Sequence, residues 1–176
     1  YSSEAGNSLR SIENEFLKII SDISPSIVEI SATRRIRSTR SDRITGENIG
    51  TGIIYDENGH IITTESVIVG SRRIEVRLSD GRTYDAKIIG IDTGSGIAVI
   101  KINANNINAI NMGNSDRLRP GSWVITMGRS YGELPTISFG IVSGSEVIPN
   151  RPAYYEAIKI DANISPGNSG GAVVDV

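Results

Sequence analysis

Hydrophobic residues follow two different spacings along this chain, and the change of spacing separates one helix from a series of strands. Over residues 8–23 they recur every three or four positions, as on one face of an α-helix, and they are Leu9, Ile12, Phe16, Ile19, Ile20 and Ile23. Ser24-Pro25 closes the segment, because proline does not continue a helix. We therefore predict one amphipathic helix near the N-terminal end.

After Pro25 the apolar residues gather in short runs rich in Val and Ile, which are typical of β-strands. The predicted strands are Ser26–Ala32, Gly52–Tyr55, Ile61–Thr64, Ile74–Leu78, Tyr84–Ile91, Ile97–Ile102, Trp123–Met127, Thr136–Ser143, Ala157–Ile160 and Ala172–Val176. Asn58-Gly59 and Asp80-Gly81 favour tight hairpins in which both central residues have a positive φ. Short strands at this regular spacing predict an all-β fold of antiparallel barrels or a sandwich.

A polar, asparagine-rich stretch, Asn103–Asn108, separates two groups of predicted strands. We therefore divide the chain into an N-terminal helical segment, 1–25, a first β-barrel, 26–108, and a second β-barrel, 109–176. The sequence contains neither heptads nor a repeat of fixed length, which disfavours a solenoid.

The segment Arg34–Arg43 carries Arg34, Arg35, Arg37, Arg40 and Arg43, and only Asp42 opposes them. One interpretation is a patch for an anionic partner, and the other is a solvated loop between two strands. We favour the loop. No aromatic residue is interleaved with these arginines, so stacking on nucleic-acid bases has no support.

Length and composition narrow the class of protein. The chain has 176 residues, of which 38% are hydrophobic and 22% charged, as in an ordinary globular protein. A net charge of −2 gives no support for nucleic-acid binding, and the lack of cysteine excludes disulfides and thiolate metal sites. No apolar run reaches the roughly 18 residues of a membrane span, and we expect no cofactor. The chain begins with Tyr1 and shows no signal-peptide pattern, so we expect a mature or shortened form of the protein.

The most specific motif lies near the end of the chain, which reads Asp161-Ala162-Asn163-Ile164-Ser165-Pro166-Gly167-Asn168-Ser169-Gly170-Gly171. Glycines on both sides of a serine allow a sharp bend that exposes its hydroxyl. They also free the N–H groups of Gly167 and Ser169 to converge as an oxyanion hole. Taken alone, the motif fits a glycine-rich hairpin without chemistry about equally well.

Further matches, in the same order along the chain, decide between these interpretations. They are Ser24-Pro25-Ser26-Ile27-Val28, Gly50-Thr51-Gly52-Ile53-Ile54-Tyr55-Asp56, Gly59-His60-Ile61-Ile62-Thr63, Leu78-Ser79-Asp80-Gly81-Arg82, Gly90-Ile91-Asp92, Ile97-Ala98-Val99-Ile100-Lys101-Ile102 and Gly140-Ile141-Val142-Ser143. With the serine motif, they make the chain resemble the HtrA (Deg) family of trypsin-like serine proteases over nearly its whole length.

The resemblance implies a trypsin-like double β-barrel, with the site in the cleft between the barrels and one α-helix before them. In the family two further strands follow the serine loop, whereas here only Ala172–Val176 remain. We therefore expect a second barrel that is truncated at its C-terminal end.

Carried over residue by residue, the resemblance implies an incomplete catalytic triad. Ser169 falls on the family's nucleophile, and the N–H groups of Gly167 and Ser169 fall on its oxyanion hole. Ser66 stands at the position of the family's histidine, the general base. Gly96 stands at the position of its aspartate, which orients that histidine. Without a base the hole is under no constraint to stay formed, so we expect it to be collapsed or only partly formed.

No other residue is a strong substitute for the missing base. His60, the single histidine, precedes Ser66 by six residues on an extended run, which places it about 20 Å away. Glu65 neighbours the vacant position, but successive residues of a strand face opposite ways. Lys101 and Lys159 lie in matching strands at positions that the family does not use for catalysis.

These residues favour a catalytically inactive pseudoprotease that acts by binding protein or peptide, or by assembly. The alternative is an active endopeptidase of protein quality control with a rearranged base. Family members often form trimers through their N-terminal segments, so we also expect a homotrimer, or an assembly with an active relative, through the helix around Phe16. The resemblance implies unfolded protein or peptide as ligand, and a location in the cell envelope, periplasmic or extracytoplasmic.

Overall fold

The structure, a computed structural model, describes residues 3–37, 43–129, 134–147 and 156–176. Helix α1 spans Ser3–Ile23 and ends where Pro25 enters a short 3-10 turn, Ser24–Ser26. The predicted helix is confirmed at its C-terminal end, and it begins at Ser3 instead of near residue 8.

The first six strands close into a barrel. They are β1 (Ile27–Arg37), β2 (Arg43–Ile54), β3 (His60–Thr64), β4 (Arg73–Arg77), β5 (Thr83–Asp92) and β6 (Ile97–Lys101). Neighbouring strands are antiparallel and follow the order β1-β2-β3-β6-β5-β4. Side chains alternate between the two faces of each strand, and the inward residues of β1, β3, β4 and β6 form a buried core that includes Val28, Ile30, Ile61, Val76 and Ile100.

The remaining strands form a half-barrel. They are β7 (Trp123–Gly128), β8 (Thr136–Val147), β9 (Glu156–Ile160) and β10 (Ala172–Asp175), in the order β10-β7-β8-β9. The same arrangement occurs within the first barrel as β4-β1-β2-β3. The predicted trypsin-like double barrel, with an incomplete second barrel, is confirmed.

Helix α1 covers the apolar face of the half-barrel. Partly buried Phe16, Ile19, Ile20 and Ile23 of the helix pack against a small core made of Ile27, Ile125, Met127 and Ala172. The ring of Phe16 also lies 5.9 Å from that of Trp123 and 5.0 Å from that of Phe139, measured between ring centroids. Such aromatic pairs add stability beyond the buried area, so they fix the helix on the second sheet.

The described residues of the arginine-rich segment, 34–37 and 43, lie in strands and not in the loop that the sequence favoured. Strand β1 continues through Arg37 and β2 begins at Arg43, and the two pair without interruption from Ile27↔Ile53 to Arg37↔Arg43. Paired strands can project beyond a barrel when cross-strand hydrogen bonds continue, even where few side chains are apolar. Residues 38–42, which include Arg40 and Asp42, lie outside the described part of the chain.

Both predicted turns are present, but their type differs from the prediction. Gly59 and Gly81 have φ values of +89° and +87°, whereas Asn58 and Asp80 are not in the positive-φ region. In the first turn the Asp56 carboxylate accepts hydrogen bonds from the N–H groups of Asn58 and His60. The side chain therefore stabilises a longer loop with a single glycine in the left-handed region.

The same carboxylate gives this turn a pH dependence. Asp56 Oδ2 lies 2.7 Å from His60 Nδ1, and this hydrogen bond is the main cause that lowers the pKa of Asp56 from 3.8 to about 2. A lowered folded-state pKa stabilises the protein above the ordinary pKa, and the contribution disappears as the pH falls through the folded value.

We therefore expect the free energy of unfolding to fall as the pH is lowered from above 3.8 to about 2, with part of the loss due to Asp56. Urea unfolding at several pH values would measure it. Asp56→Asn keeps an oxygen acceptor but does not titrate, so its unfolding free energy should depend less steeply on pH. Equal slopes for the two proteins would contradict the assignment.

Candidate active site

Ser169 lies on the loop between β9 and β10 and is exposed to solvent. Two turns shape this loop: Ser165 O accepts a hydrogen bond from Asn168 N at 3.1 Å, and Asn168 O accepts one from Gly171 N at 2.8 Å. Gly167 and Gly170 have φ values of +88° and +85°, which residues with a side chain rarely adopt. The glycines of the motif are therefore required by the backbone path.

The loop packs directly against the first barrel. A Cβ atom added to Gly170 would lie 2.2 Å from Thr51 O and 2.5 Å from Thr63 Oγ1. A Cβ on Gly50 would lie 3.2 Å from Ser169 O, and closer still to the side chain of Val67. Glycine at these positions lets the two halves of the molecule approach until backbone meets backbone.

Thr51, fully buried in β2, connects the loop to three other elements. Its N–H donates to Ser169 O at 2.8 Å, and its Oγ1 donates to Gly167 O at 2.8 Å. The same Oγ1 accepts from Arg129 N at 2.8 Å, and Thr51 O accepts from Thr63 Oγ1 at 2.7 Å. One threonine thus joins the serine loop to β2, to β3 and to the end of β7.

Three charged residues lie near Thr51, and they are Arg129, Arg77 and Glu29. Arg129 is buried, and desolvation is the main cause that lowers its pKa. The nearby Arg77 lowers that pKa further and Glu29 opposes the change. Arg77 and Glu29 also form an ion pair of 3.0 Å.

The N–H groups of Gly167 and Ser169 donate to no group within the described ranges of the chain. Meanwhile the carbonyl groups of both residues are held by Thr51. Both N–H groups are therefore not engaged by the described part of the chain, and the collapsed hole expected from the sequence stays a prediction.

Ser66 lies in a short helix, α2 (Glu65–Ile68), that directly follows β3. Its side chain is exposed, and its Oγ is 3.1 Å from Thr64 Oγ1. The side-chain amide of Asn48 donates to the carbonyl groups of Ser66 and Val67 at 3.4 Å each. Arg34 Nη2 donates in turn to Asn48 Oδ1. These contacts hold α2 beside the projecting pair β1–β2.

Gly96 ends the turn between β5 and β6 with a φ of +76°. Its N–H donates to Asp92 O and its carbonyl accepts from Glu65 N, both at 2.8 Å. The second bond places Gly96 beside Glu65, the first residue of α2 and the chain neighbour of Ser66. The Asp92 carboxylate orders the turn through Gly94 N at 3.0 Å and Ser95 Oγ at 2.7 Å.

Ser66 and Ser169 face one cleft of about 340 Å³, which crosses from the first barrel to the serine loop. Its lining residues are Arg34, Glu47, Asn48, Ile49, Ser66, Val67, Pro166, Gly167 and Ser169. The structure thus brings together three of the four residues selected from the sequence, and it places the fourth, Gly96, against the backbone of α2.

The other candidate bases lie elsewhere. His60 pairs with Lys101 across β3 and β6, at the opposite end of β3 from Ser66, and its ring is bonded to Asp56. Lys159 forms an ion pair with Glu146 at 3.4 Å on the second sheet. None of these side chains lines the cleft.

Sequence reasoning missed Thr51, Asn48 and Glu47. Thr51 stands within a matched motif, and a threonine between two glycines on a buried strand signals a close backbone approach. Asn48 and Glu47 lie in the part of β2 that was not predicted as a strand, so no signal placed them near Ser66.

The sequence and the fold are similar to those of known proteins. The sequence profile of the trypsin-like peptidase domain matches residues 50–176. A protein of Marinomonas sp. (strain MWYL1) named "Probable periplasmic serine endoprotease DegP-like" is 38% identical over 129 residues, 73% of this chain and 28% of that protein. The chain belongs to the HtrA/Deg family of trypsin-like serine proteases.

Two further comparisons extend this likeness across the barrels. A protein with the same name from Hahella chejuensis (strain KCTC 2396) is 30% identical over 190 aligned positions, covering 92% of this HtrA-like chain and 40% of the relative. The solved structure "HtrA-type protease AlgW with decapeptide" superposes with a TM-score of 0.77 at 28% identity, covering 89% of this chain and 54% of that one. The chain thus spans less than half the length of these two curated relatives.

The described part of this HtrA-like chain contains no helix long and apolar enough to cross a membrane.

Proposed function

We propose that this HtrA-like domain is a pseudoprotease, which keeps the nucleophile position Ser169 but has no general base, and which acts by binding protein or peptide. One observation carries the proposal. The cleft that contains Ser169 is lined by Ser66 where the family has its histidine, while the chain's single histidine is bonded to Asp56 at a distant turn.

The chemical reason is the weakness of a serine hydroxyl as a nucleophile. It attacks a carbonyl only when a neighbouring base accepts its proton. Gly96 has no side chain to orient a base, and the side chain at position 66 is another hydroxyl. Removal of the histidine from another serine protease lowers turnover by roughly a millionfold, so the remaining groups supply only binding and weak polarisation.

A serine-directed fluorophosphonate probe tests this proposal. We expect the full-length protein to label no faster than its Ser169→Ala variant, and to leave an unfolded protein that contains no histidine intact. An active relative labelled in parallel serves as the positive control. Rapid stoichiometric labelling that disappears in Ser169→Ala, together with digestion of that histidine-free protein, would contradict the proposal.

The second candidate function is an active endopeptidase with a rearranged base. The structure of the serine loop favours this candidate. The glycines, the two turns and the hydrogen bonds to Thr51 that shape the loop around Ser169 are all present. In that case digestion of the histidine-free protein would be measurable, and Ser169→Ala would abolish it.

The ligand that fits the retained loop is an extended peptide or a segment of unfolded protein. The available N–H groups of Gly167 and Ser169 offer donors to a peptide oxygen, and the HtrA-type protease AlgW was solved with a decapeptide and with a tripeptide. Two relatives of this chain are named periplasmic serine endoproteases, so we propose a periplasmic or otherwise extracytoplasmic location for it.

Assembly into a homotrimer, or with an active relative, is the second part of the proposal. An apolar stripe on α1 continues beyond the half-barrel: Leu9 is 68% and Ile12 42% exposed, and the stripe leads to Phe16 and the rings of Trp123 and Phe139. Contiguous apolar surface of this kind marks protein contacts.

Light scattering on the full-length protein is expected to give the mass of a trimer. The double variant Leu9→Ser, Ile12→Ser should be monomeric while its circular dichroism is unchanged. Leu17→Ser is the matched control, because Leu17 is also exposed but lies about 100° around the helix from that stripe. A monomeric wild-type protein would contradict this part of the proposal.

A further inference from the structure

The side chain at position 66 leaves room beside the nucleophile. Ser66 and Ser169 line the same cleft of about 340 Å³, and both are exposed. The backbone around them is fixed: Thr51 holds the serine loop, and Asn48 and Gly96 hold α2. The cleft volume of about 340 Å³ is larger than an imidazole ring.

We propose that this cleft accepts the imidazole of a histidine carried by the substrate, so that the domain hydrolyses peptides with a histidine beside the scissile bond and leaves other peptides intact. This inference rests on one part of the proposed function, a retained serine that has no base of its own, and it limits the expected inactivity to substrates without a histidine at that position.

Two groups of the cleft suit an imidazole. Ser66 Oγ, 3.1 Å from Thr64 Oγ1, is a hydroxyl that can accept the N–H of a neutral imidazole ring. The Glu47 carboxylate also lines the cleft, where it is bonded to the hydroxyl of Ser31, and it offers a negative charge to the imidazolium that forms on proton transfer. Among the described lining residues the cation is Arg34, which donates a hydrogen bond to the side chain of Asn48.

The chemistry then balances without any added reactant. The substrate imidazole takes the proton from Ser169 Oγ, the Oγ–C bond forms, and the carbonyl oxygen becomes an oxyanion near the N–H groups of Gly167 and Ser169. The imidazolium next protonates the leaving amine, the C–N bond breaks, and an ester on Ser169 remains. Water hydrolyses that ester, with an imidazole again accepting its proton, and the serine hydroxyl is restored.

The test compares internally quenched peptides that differ only in one residue, histidine or phenylalanine, placed in turn at each position around one scissile bond. We expect the full-length protein to cleave at least one histidine peptide about 100-fold or more faster than its phenylalanine partner. Replacing that histidine with its two N-methyl isomers should lower the rate for at least one of them. Ser169→Ala should abolish the reaction, and Glu47→Gln should slow it while leaving the fold unchanged.

The double variant Ser66→His, Gly96→Asp separates failure of this inference from failure of the proposed function. If the wild type cleaves neither peptide and the double variant cleaves both, the inference is overturned and the pseudoprotease proposal stands. If the wild type cleaves both peptides equally through Ser169, both proposals are overturned. If neither protein cleaves any peptide, the loop holds no competent serine and the inference is again overturned.

Discussion

Replacing Ser66 with histidine and Gly96 with aspartate together is expected to convert Ser169 into a reactive nucleophile. The structure provides the neighbours that such a pair needs: Ser66 and Ser169 share a cleft, and Gly96 O is bonded to Glu65 N at the start of α2. A positioned general base contributes about 10²- to 10⁴-fold to a rate, so fluorophosphonate labelling should accelerate at least about 100-fold.

The two single variants and the triple variant with Ser169→Ala are the controls. Gly96 has a φ of +76°, and a side chain in the left-handed region costs about 1–2 kcal/mol, although aspartate tolerates it better than most residues. The double variant should therefore unfold at a lower temperature and yet label faster. A folded double variant that labels no faster than the wild type would show that the serine loop, and not the missing base, limits reactivity.

The spacing of apolar residues was sufficient to predict the helix and the strands, but not the full length of the strands. The helix that ends at Ile23 and the strands of both sheets follow from local alternation of apolar residues. In contrast, the projecting parts of β1 and β2 are rich in arginine and polar residues, and they are strands because they pair with each other, as at Arg34↔Gly46. Helix α2 has four residues, too few for a periodic pattern.

The candidate site likewise has one part that the sequence predicted and one part that it did not. The serine loop is a local feature: its glycines, turns and exposed hydroxyl all lie between Asp161 and Gly171, so the sequence predicted it. The support of the loop is not local. Thr51 and Gly167 are 116 positions apart in the chain, and only the closed first barrel places them in contact. A pattern within a short stretch of sequence does not predict a contact between two residues so far apart in the chain.

Thr51→Val is expected to be the most destabilising conservative substitution at the site. Valine has nearly the same shape as threonine but lacks Oγ1, which donates to Gly167 O and accepts from Arg129 N, each at 2.8 Å. Because Thr51 is 0% exposed, water does not replace the lost hydroxyl. Each buried group left without a partner costs about 1–3 kcal/mol, so we expect a loss of at least about 2 kcal/mol in the free energy of unfolding.

Thr51→Ser is the matched control, because it keeps the hydroxyl and removes only a methyl group, worth about 0.8 kcal/mol. Urea unfolding of both variants would measure the difference between them. In the background of Ser66→His and Gly96→Asp, Thr51→Val should also slow fluorophosphonate labelling, since the carbonyl of Gly167 is then free to turn and move its neighbouring N–H groups. Equal stability and equal labelling of the valine and serine variants would contradict this role of the Thr51 hydroxyl. The loop would then be held by packing alone, through the close approach of Gly170, where an added Cβ would lie 2.2 Å from Thr51 O.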